Sequence, residues 1–293
     1  MVEKVEKKKV LITGVKGMLG NSLREKLELD YEVFGIDKDN CDITDKNLIK
    51  KFFQNLSIDV VIHCAAYTDV DKAEEEARKV FLVNRDGTKN ILEVIEKDTL
   101  FIYISTDYVF NGTKKAPYNE EDKPSPLNTY GKSKLEGEKL VSFREKYLII
   151  RTSWLFGPKG DNFVDSILNL AKKRVCLKVV NDQIGSPTYT LDLAEAIKKF
   201  LNLYFEEKLV CGIYHITNNG SCSWFEFASY ILKIAGLDTK LMPISSLELK
   251  KRAKRPKNSV LSNEKFYRLT GGYLRNWQEA VRDYLESYIL NCN

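Results

Sequence analysis

The chain has 293 residues, of which 43% are hydrophobic, and a formal net charge of +5 from 46 basic and 41 acidic side chains. The 15 Tyr and 14 Phe argue against disorder, and the length predicts one large or two smaller domains. No apolar run approaches the roughly 20 residues of a membrane span, and the N-terminus lacks the apolar core of a secretory signal. The small positive charge does not by itself indicate nucleic acid, so we expect a soluble protein with neither membrane nor nucleic-acid partners.

Six cysteines and two histidines give little sign of metal chemistry. The cysteines form no CxxC pair and no zinc-ligand spacing, which favours free thiols in a reduced, cytoplasmic compartment. His63 and His215 both lie in β-like segments, so a histidine-dependent triad is a poor interpretation. The sequence predicts no metal site.

The first half of the chain alternates short apolar runs with segments of helical spacing. Strands are predicted at 10–13, 31–36, 58–64, 100–105 and 147–151, and helices at 18–29, 45–55, 80–97 and 130–143. Continuous apolar strands separated by helices are typical of a parallel sheet covered on both faces. We therefore predict an α/β fold, a Rossmann-type doubly wound parallel sheet, accompanied by a smaller α+β lobe.

The second half is less regular and richer in turn signals. Helices are predicted near 162–173, 191–205, 223–235 and 276–290, and strands near 176–180 and 211–216. We expect residues 1–153 to form the first domain, with parts of 175–210 returning to it. Residues 154–293 would form most of a discontinuous second lobe, and the cleft between the two is the expected ligand site.

Three glycines follow the first predicted strand and open the first helix. Gly14 permits a tight turn, Gly17 allows the backbone to approach a pyrophosphate, and Gly20 permits close helix–strand packing. A packing turn with incidental glycines is the alternative. The strand–turn–helix context favours phosphate binding at the helix N-terminus, which makes 1–153 a dinucleotide-binding domain.

Asp37 ends the second strand, where a carboxylate can bind the adenosine ribose hydroxyls and repel a 2′-phosphate. It could equally be an ordinary turn residue. Lys38 follows directly and would favour a 2′-phosphate, so NAD and NADP both stay open, with a slight preference for NAD. Further along, small and acidic side chains are placed to bracket the adenine and the middle of the cofactor: Asp42, Ile43, Cys64, Ala65 and Ala66.

Tyr130 and Lys134 are four residues apart on one predicted helix face. A free tyrosine has a pKa near 10, and a neighbouring ammonium lowers it by stabilising the phenolate. Such pairs are also common on surface helices. The glycine turn favours a catalytic pair here, as does Thr106, which leaves the fourth strand at the carboxyl edge where open α/β sheets bind ligands. The alternative for Thr106 is a simple strand-end cap.

These residues resemble the extended short-chain dehydrogenase/reductase superfamily, which combines a GxxGxxG turn with a Ser/Thr–Tyr–Lys core. Within it, the chain is most similar to the dTDP-4-dehydrorhamnose reductase family. The matching segments run in order along nearly the whole chain: ITGVKGMLG at 12–20, AAYTDVDKAE at 65–74, STDYVFNG at 105–112, PLNTYGKSKLEGE at 126–138, RTSWLFG at 151–157, NDQIGSPT at 181–188, SWFEFA at 223–228 and RPKNSVL at 255–261.

The resemblance implies an NADPH- or NADH-dependent oxidoreductase of nucleotide-sugar biosynthesis. Tyr130 would donate a proton to the C4 oxygen of dTDP-4-dehydro-L-rhamnose, Lys134 would tune Tyr130 and bind ribose, and Thr106 would bind the same oxygen. Further cofactor contacts are expected from Lys16, Met18, Leu19, Tyr67 and Asn84. Substrate contacts are expected from Thr68, Val70, Asp107, Trp154 and Arg255.

The roles of Trp154, Tyr108 and the segment 250–257 need separate consideration. Trp154 would line the sugar pocket or serve as a core aromatic. Tyr108 stands where related dehydratases place a catalytic Glu, which disfavours water elimination. Residues 250–257, the basic segment, contain six basic and no acidic side chains; such a run is usually solvated, but Arg255 could instead bind the substrate diphosphate through its guanidinium fork.

Two other functions are compatible with these motifs. One is reduction or epimerisation of another sugar nucleotide. The other is a non-catalytic, cofactor-binding regulatory subunit similar to that of methionine adenosyltransferase, since an intact Tyr–Lys pair permits catalysis without proving it. A homodimer is compatible with the resemblance, and the sequence does not decide the oligomeric state.

Overall fold

The computed structural model describes residues 7–208 and 211–290. The first six residues of the lysine-rich N-terminal stretch and Cys292 lie outside the described residues. The other five cysteines are free thiols. Within the described part of the chain, no helix combines the length and apolar character needed to cross a membrane.

A six-stranded parallel sheet forms the centre of the molecule. Its strands are β1 (Lys9–Thr13), β2 (Glu32–Ile36), β3 (Val60–His63), β4 (Leu100–Thr106), β5 (Tyr147–Thr152) and β10 (Gly212–His215). They lie in the order β10-β5-β4-β3-β1-β2, and every neighbouring pair is parallel. The predicted Rossmann-type α/β fold is confirmed.

Helices cover both faces of this sheet. One face packs against α1 (Met18–Leu27) and α8 (Thr190–Phe205), through side chains such as Leu23 and Phe200. The other face packs against α2 (Lys46–Phe53), α5 (Thr88–Leu92) and α6 (Thr129–Val141). Because both faces are covered, β1, β3 and β4 are apolar along almost their whole length, which is why their positions could be predicted.

The helix predicted at 80–97 is wrong as a single element. After α3 (Val70–Ala73), the chain forms α4 (Ala77–Phe81), a π-helical turn at Leu82–Gly87, and then α5. Residues after Leu92 are no longer helical. Single π-helical turns of this kind often occur at functional sites, because the extra residue per turn reorients a side chain. Here that side chain is Asn84.

The smaller lobe is assembled from the second half of the chain. After the short strand β6 (Leu155–Phe156) come its main elements: α7 (Phe163–Ala171), β7 (Cys176–Val180), β8 (Ile184–Gly185), β9 (Thr188–Tyr189), β11 (Cys222–Ser223), α9 (Trp224–Ala235), β12 (Lys240–Ile244), α10 (Ser246–Leu249) and α12 (Trp277–Leu290). Helix α11 (Glu264–Thr270) packs instead on the large sheet, where Phe266 contacts Phe200 of α8. Strand β7 pairs with β12, away from the large sheet. A second apolar core holds α7, α9 and α12 together.

The stretch 175–210 is divided between the two parts. Helix α8 packs on the large sheet beside α1, whereas β7 belongs to the small lobe. The strand that joins the large sheet from this half is β10, which pairs with β5.

Candidate functional site

The turn after β1 brings three backbone segments unusually close together. Gly14 has a φ of +67°, and a Cβ added there would lie 2.8 Å from the backbone nitrogen of Ala65. A Cβ on Gly20 would lie 2.2 Å from the Gly14 carbonyl oxygen. No side chain caps the N-terminus of α1 at Gly17. The glycine turn and the uncapped start of α1 therefore fit a dinucleotide pyrophosphate. Met18 and Leu19 lie in the first turn of that helix.

Asp37 joins the glycine turn to the end of β2. Its Oδ2 accepts a hydrogen bond of 3.0 Å from the backbone N–H of Lys16, whose ammonium contacts Asp39. A carboxylate held here fits the ribose hydroxyls of an adenosine group. Asp42, by contrast, turns its Oδ1 toward the N–H and hydroxyl of Thr44, at 2.9 and 2.8 Å.

Asn84 connects the end of β3 to the helix that carries Tyr130. Its Oδ1 accepts a hydrogen bond of 2.7 Å from the Tyr67 N–H, and its Nδ2 donates to the Tyr67 carbonyl at 3.1 Å. The same Nδ2 donates to Ser133 Oγ at 2.8 Å. Asn84 thus holds the loop of Cys64, Ala65 and Ala66 against α6. Ile43 packs beside this π-helical turn, since a Cβ on Gly87 would meet its side chain at 2.7 Å.

Thr106, Asp107 and Tyr130 meet at the carboxyl end of β4. The Thr106 hydroxyl donates to Asp107 Oδ1 at 3.1 Å, and it favours the ionised form of the neighbouring Tyr130 phenol. The ring of Tyr108 stands edge-on to that of Tyr130, with centroids 6.1 Å apart. Asn128 caps α6 by accepting the Gly131 N–H at 2.8 Å, which fixes the start of the helix beside this cluster.

Desolvation sets the protonation of this cluster. It raises the pKa of the Tyr130 phenol well above its usual value, although the Thr106 hydroxyl opposes the shift. It also raises the pKa of Asp107 to about 7, against the hydroxyls of Ser259 and Thr106, which favour the carboxylate. Tyr130 therefore stays protonated at neutral pH in the free protein, as a proton donor must be.

Lys134 lies one helical turn beyond Tyr130 and is only 2% exposed. Its Nζ lies 3.9 Å from the centroid of the Tyr103 ring. Desolvation lowers the pKa of Lys134 to about 7, while the charge of Glu138 and the neighbouring Cys64 oppose the shift. Burial raises the pKa of the Cys64 thiol to about 12, so that thiol is neutral.

Sequence reasoning missed a buried ion pair behind this lysine. Arg151 donates to Glu138 Oε1 from Nε at 2.9 Å and to Oε2 from Nη2 at 2.7 Å. Ser105 donates its hydroxyl to the same Oε1 at 2.5 Å. One signal for it was available, because Glu138 stands four residues after Lys134 and so shares its helix face.

Arg255 is anchored on an acidic residue of the first domain. Its Nη1 and Nη2 donate to Asp71 at 3.1 and 2.8 Å, and the Ala253 N–H donates to the same carboxylate at 3.2 Å. The Arg255 guanidinium favours the ionised form of Tyr108 through charge and a hydrogen bond. The Asn128 Nδ2 donates to the Lys254 carbonyl at 2.9 Å, so the basic segment reaches the cap of the Tyr130 helix.

Trp154 lies in a different environment from Tyr130. It stacks on Trp224 with centroids 3.5 Å apart and an interplanar angle of 7°. Its backbone has a φ of +47°, and a Cβ on Gly185 would collide with its ring at 2.5 Å. Two further predicted substrate residues, Thr68 and Val70, lie shortly after β3 in the chain. Thr68 is exposed, and Val70 is the first residue of α3.

Both histidines are buried in the core. His63 lies between the hydroxyls of Thr13 and Thr88, at 2.7 and 3.0 Å, and burial lowers its pKa to about 3. His215 Nδ1 lies 3.0 Å from the Tyr118 carbonyl, and burial lowers its pKa well below the usual value. Both rings are therefore neutral core groups at neutral pH.

A cavity of about 490 Å³ opens between the two parts of the molecule. Lys114, Lys115, Asp182, Ile184, Lys257 and Asn258 are among the residues that line it. It includes none of the predicted catalytic residues, but it adjoins Arg255 along the chain.

Three comparisons with known proteins bear on this site. The model of the RmlD substrate binding domain family matches residues 8–290. The spore coat polysaccharide biosynthesis protein SpsK of Bacillus subtilis is 41% identical over 97% of this chain and 99% of its own length. The dTDP-4-dehydrorhamnose reductase of Aggregatibacter actinomycetemcomitans is 40% identical over 94% of this chain and 97% of its own. The structure of dTDP-4-dehydrorhamnose reductase from Bacillus anthracis in complex with NADP superposes with a TM-score of 0.91 at 39% identity, covering 96% of this chain and 99% of the other.

Proposed function

Because this chain belongs to the family of the RmlD substrate binding domain, we propose that it reduces the C4 keto group of dTDP-4-dehydro-L-rhamnose to give dTDP-L-rhamnose. NADPH or NADH is the reductant. One observation carries the proposal: the hydroxyls of Thr106 and Tyr130 meet at the carboxyl end of β4, with the buried ammonium of Lys134 one helical turn away. The relative from Bacillus anthracis that was solved with NADP supports the choice of coenzyme.

The reduction needs a hydride and a proton, delivered to the two ends of one C=O bond. A bound nicotinamide would supply the hydride to C4. Tyr130 gives its phenolic proton to the C4 oxygen, and Thr106 donates a hydrogen bond to the same oxygen. Lys134 stabilises the phenolate that remains and binds the nicotinamide ribose. The raised pKa of Tyr130 keeps the proton available before the transfer.

The coenzyme would lie along the carboxyl edge of the sheet. We assign the pyrophosphate to the turn of Gly14, Gly17 and Gly20, and the adenosine ribose to Asp37. The remaining contacts are Lys16, Met18, Leu19, Asp42, Ile43, Cys64, Ala65, Ala66, Tyr67 and Asn84. The bracing of Tyr67 by Asn84 supports this placement, because it fixes the loop that faces the glycine turn.

The sugar would lie between Tyr130 and the small lobe. Thr68, Val70, Asp107 and Trp154 are proposed as its contacts. An aromatic side chain at Tyr108 supports reduction over elimination, since a phenol held neutral by burial cannot act as the general base that removes a proton for loss of water.

We expect Arg255→Ala to raise the KM for the nucleotide sugar by about ten- to a hundredfold, with kcat changed less. The reason is that charge-assisted hydrogen bonds to phosphate are among the stronger ones in proteins. Steady-state kinetics with varied sugar nucleotide measures the effect. Arg252→Ala is the matched control, because Arg252 is exposed, contacts Glu75, and belongs to the same basic segment. An unchanged KM in Arg255→Ala would exclude the diphosphate contact.

The direct test of the function is turnover. The purified chain is mixed with enzymatically generated dTDP-4-dehydro-L-rhamnose, and coenzyme oxidation is followed by near-UV absorbance with NADPH and NADH in parallel. NMR of the product should show dTDP-L-rhamnose. Turnover only with a different 4-keto sugar nucleotide would point to another reductase or epimerase. No turnover, together with tight binding to a methionine adenosyltransferase, would point to a regulatory subunit.

A homodimer and a cytoplasmic location stay predictions. Mass photometry of the purified chain tests the first, and fractionation of the source cell tests the second.

A further inference from the structure

The ammonium group of Lys134 is buried, where a positive charge is poorly solvated. The side chain is 2% exposed, so water contributes little to solvating the ammonium, and its pKa falls to about 7. A neutral Lys134 could not stabilise a phenolate on Tyr130 electrostatically. Something other than water must therefore help to keep the proton on this lysine at neutral pH.

Two side chains, Glu138 and Tyr103, stabilise the ammonium form of Lys134 in place of water. Glu138, 3% exposed, lies one turn further along α6, and its charge favours the ammonium form of Lys134. Tyr103, fully buried in β4, places its ring face 3.9 Å from the Lys134 Nζ, within the range of a cation–π interaction. The Tyr103 hydroxyl donates to the Lys134 carbonyl at 3.3 Å, which holds the ring against this turn of the helix.

The other titratable groups around Lys134 are either uncharged at neutral pH or paired with an opposite charge. On the β3 side, the Cys64 thiol and the His63 imidazole are both kept neutral by burial. On α6 itself, the Tyr130 phenol is also neutral. On the π-helical turn that packs against α6, Arg85 and Asp86 pair with each other at 2.7 Å. This leaves the Glu138–Arg151 pair, whose carboxylate is the member that favours a charged Lys134.

Side chains from two strands of the large sheet hold the Glu138 carboxylate. Arg151 on β5 and Ser105 on β4 occupy both of its oxygens, so Glu138 cannot rotate away from the lysine. The two parallel hydrogen bonds from the Arg151 guanidinium fix the geometry of the Glu138 carboxylate. The result is a fixed carboxylate and an aromatic face, both packed against the helix turn that carries Lys134.

We propose that Glu138 and Tyr103 are positioning residues that keep the Lys134 ammonium charged. Glu138 acts through its fixed charge, and Tyr103 acts through its ring rather than its hydroxyl. The proposal deepens the proposed function, since it explains how the proton donor is supported. It concerns the ionisation of one lysine and can be tested without any substrate.

The experiment is an NMR titration of the full chain with ¹³C-labelled lysine side chains, in which Lys134→Met identifies the signal of Lys134. Glu138→Gln should shift the Lys134 midpoint down by about one pH unit or more, because a counter-charge is lost. Tyr103→Leu should also shift it down, whereas Tyr103→Phe, which keeps the ring, should leave it in place. Glu136→Gln is the matched control, because Glu136 lies on the same helix but at the surface, where it pairs with Lys139.

Wild-type midpoints in both Glu138→Gln and Tyr103→Leu would overturn the proposal. Tyr103→Leu leaves the Glu138–Arg151 pair intact, and Glu138→Gln leaves the ring in place, so the folding failure of one variant leaves the other to decide. If the chain proves inactive on the sugar nucleotide while these midpoints shift as expected, the proposed function fails and the positioning role stands.

Activity gives a second readout. Glu138→Gln should lose more of its turnover at pH 8 than at pH 6, because fewer Lys134 side chains remain charged at the higher pH. A purely structural defect would lower activity by the same factor at both pH values, and that result would count against the proposal.

Discussion

Tyr130→Phe is expected to lower kcat for the reduction by about two to four orders of magnitude, the usual contribution of a positioned general acid. The substitution keeps the ring, and with it the edge-on packing against Tyr108. It removes only the phenolic hydroxyl, which lies beside that of Thr106. Steady-state rates with the sugar nucleotide measure the loss, and quenching of tryptophan fluorescence measures coenzyme affinity, which should change little.

Tyr31→Phe is the matched control for this prediction. Tyr31 is also a largely buried tyrosine and also loses one hydrogen bond, of 2.9 Å to Asn202, but it lies on the far side of the sheet beside α8. Its kcat should equal that of the wild type. Turnover by Tyr130→Phe within tenfold of the wild type would rule out Tyr130 as the proton donor.

Arg151→Leu is expected to destabilise the protein by about 3–5 kcal/mol, the usual cost of removing one partner of a buried ion pair. Arg151 is 1% exposed, and both Glu138 oxygens accept its hydrogen bonds. Without it, a carboxylate stays buried with only the Ser105 hydroxyl as a close partner. Urea unfolding followed by circular dichroism should show a lower midpoint, with the slope of the transition preserved.

Two further variants separate charge from packing. In Glu138→Met combined with Arg151→Leu, neither member of the ion pair remains as a buried charge without the other, so most of the lost stability should return. Lys139→Leu removes an ion pair with Glu136 on the exposed side of the same helix, where solvent screens the interaction, and should change the midpoint little. A wild-type midpoint for Arg151→Leu would mean that the pair contributes nothing to stability.

The sheet could be predicted because the apolar composition of its central strands identifies them without reference to the rest of the chain. A strand buried on both faces, such as β3 or β4, must be apolar throughout, and that pattern needs no partner to be recognised. The strand β12 shows the opposite case. It is largely exposed, contains Met242 and Pro243, and exists through its pairing with β7, so nothing in its own composition distinguishes it from a loop.

The helix predicted at 80–97 failed for a related reason. Its apolar spacing is helical, but the π-helical turn at Leu82–Gly87 places Asn84 against Tyr67 and Ser133, which lie 17 and 49 residues away. Tertiary hydrogen bonds decide the local backbone there. No pattern within the segment contains that information.

The site also contains contacts of two kinds: those within one segment of the chain, which could be predicted, and those between distant segments, which could not. Tyr130 and Lys134 share one helix, and the three glycines share one turn, so spacing alone brings each set together. The Arg255–Asp71 pair joins residues 184 positions apart, and Trp154 meets Trp224 across the small lobe. The sequence drew attention to the basic segment and to Trp154, but it did not indicate Asp71 or Trp224 as their partners.

The left-handed backbone at Trp154 has a consequence for what this position can accept. Glycine or asparagine would adopt a φ of +47° with less strain than a bulky aromatic residue. The stacking of the indole on Trp224 offsets part of that strain, and Gly185 leaves just enough room for it. The backbone alone would thus favour a small residue at 154, whereas the side chain present is the largest of all. Replacing Trp154 with glycine would therefore relieve backbone strain but remove the stacking on Trp224.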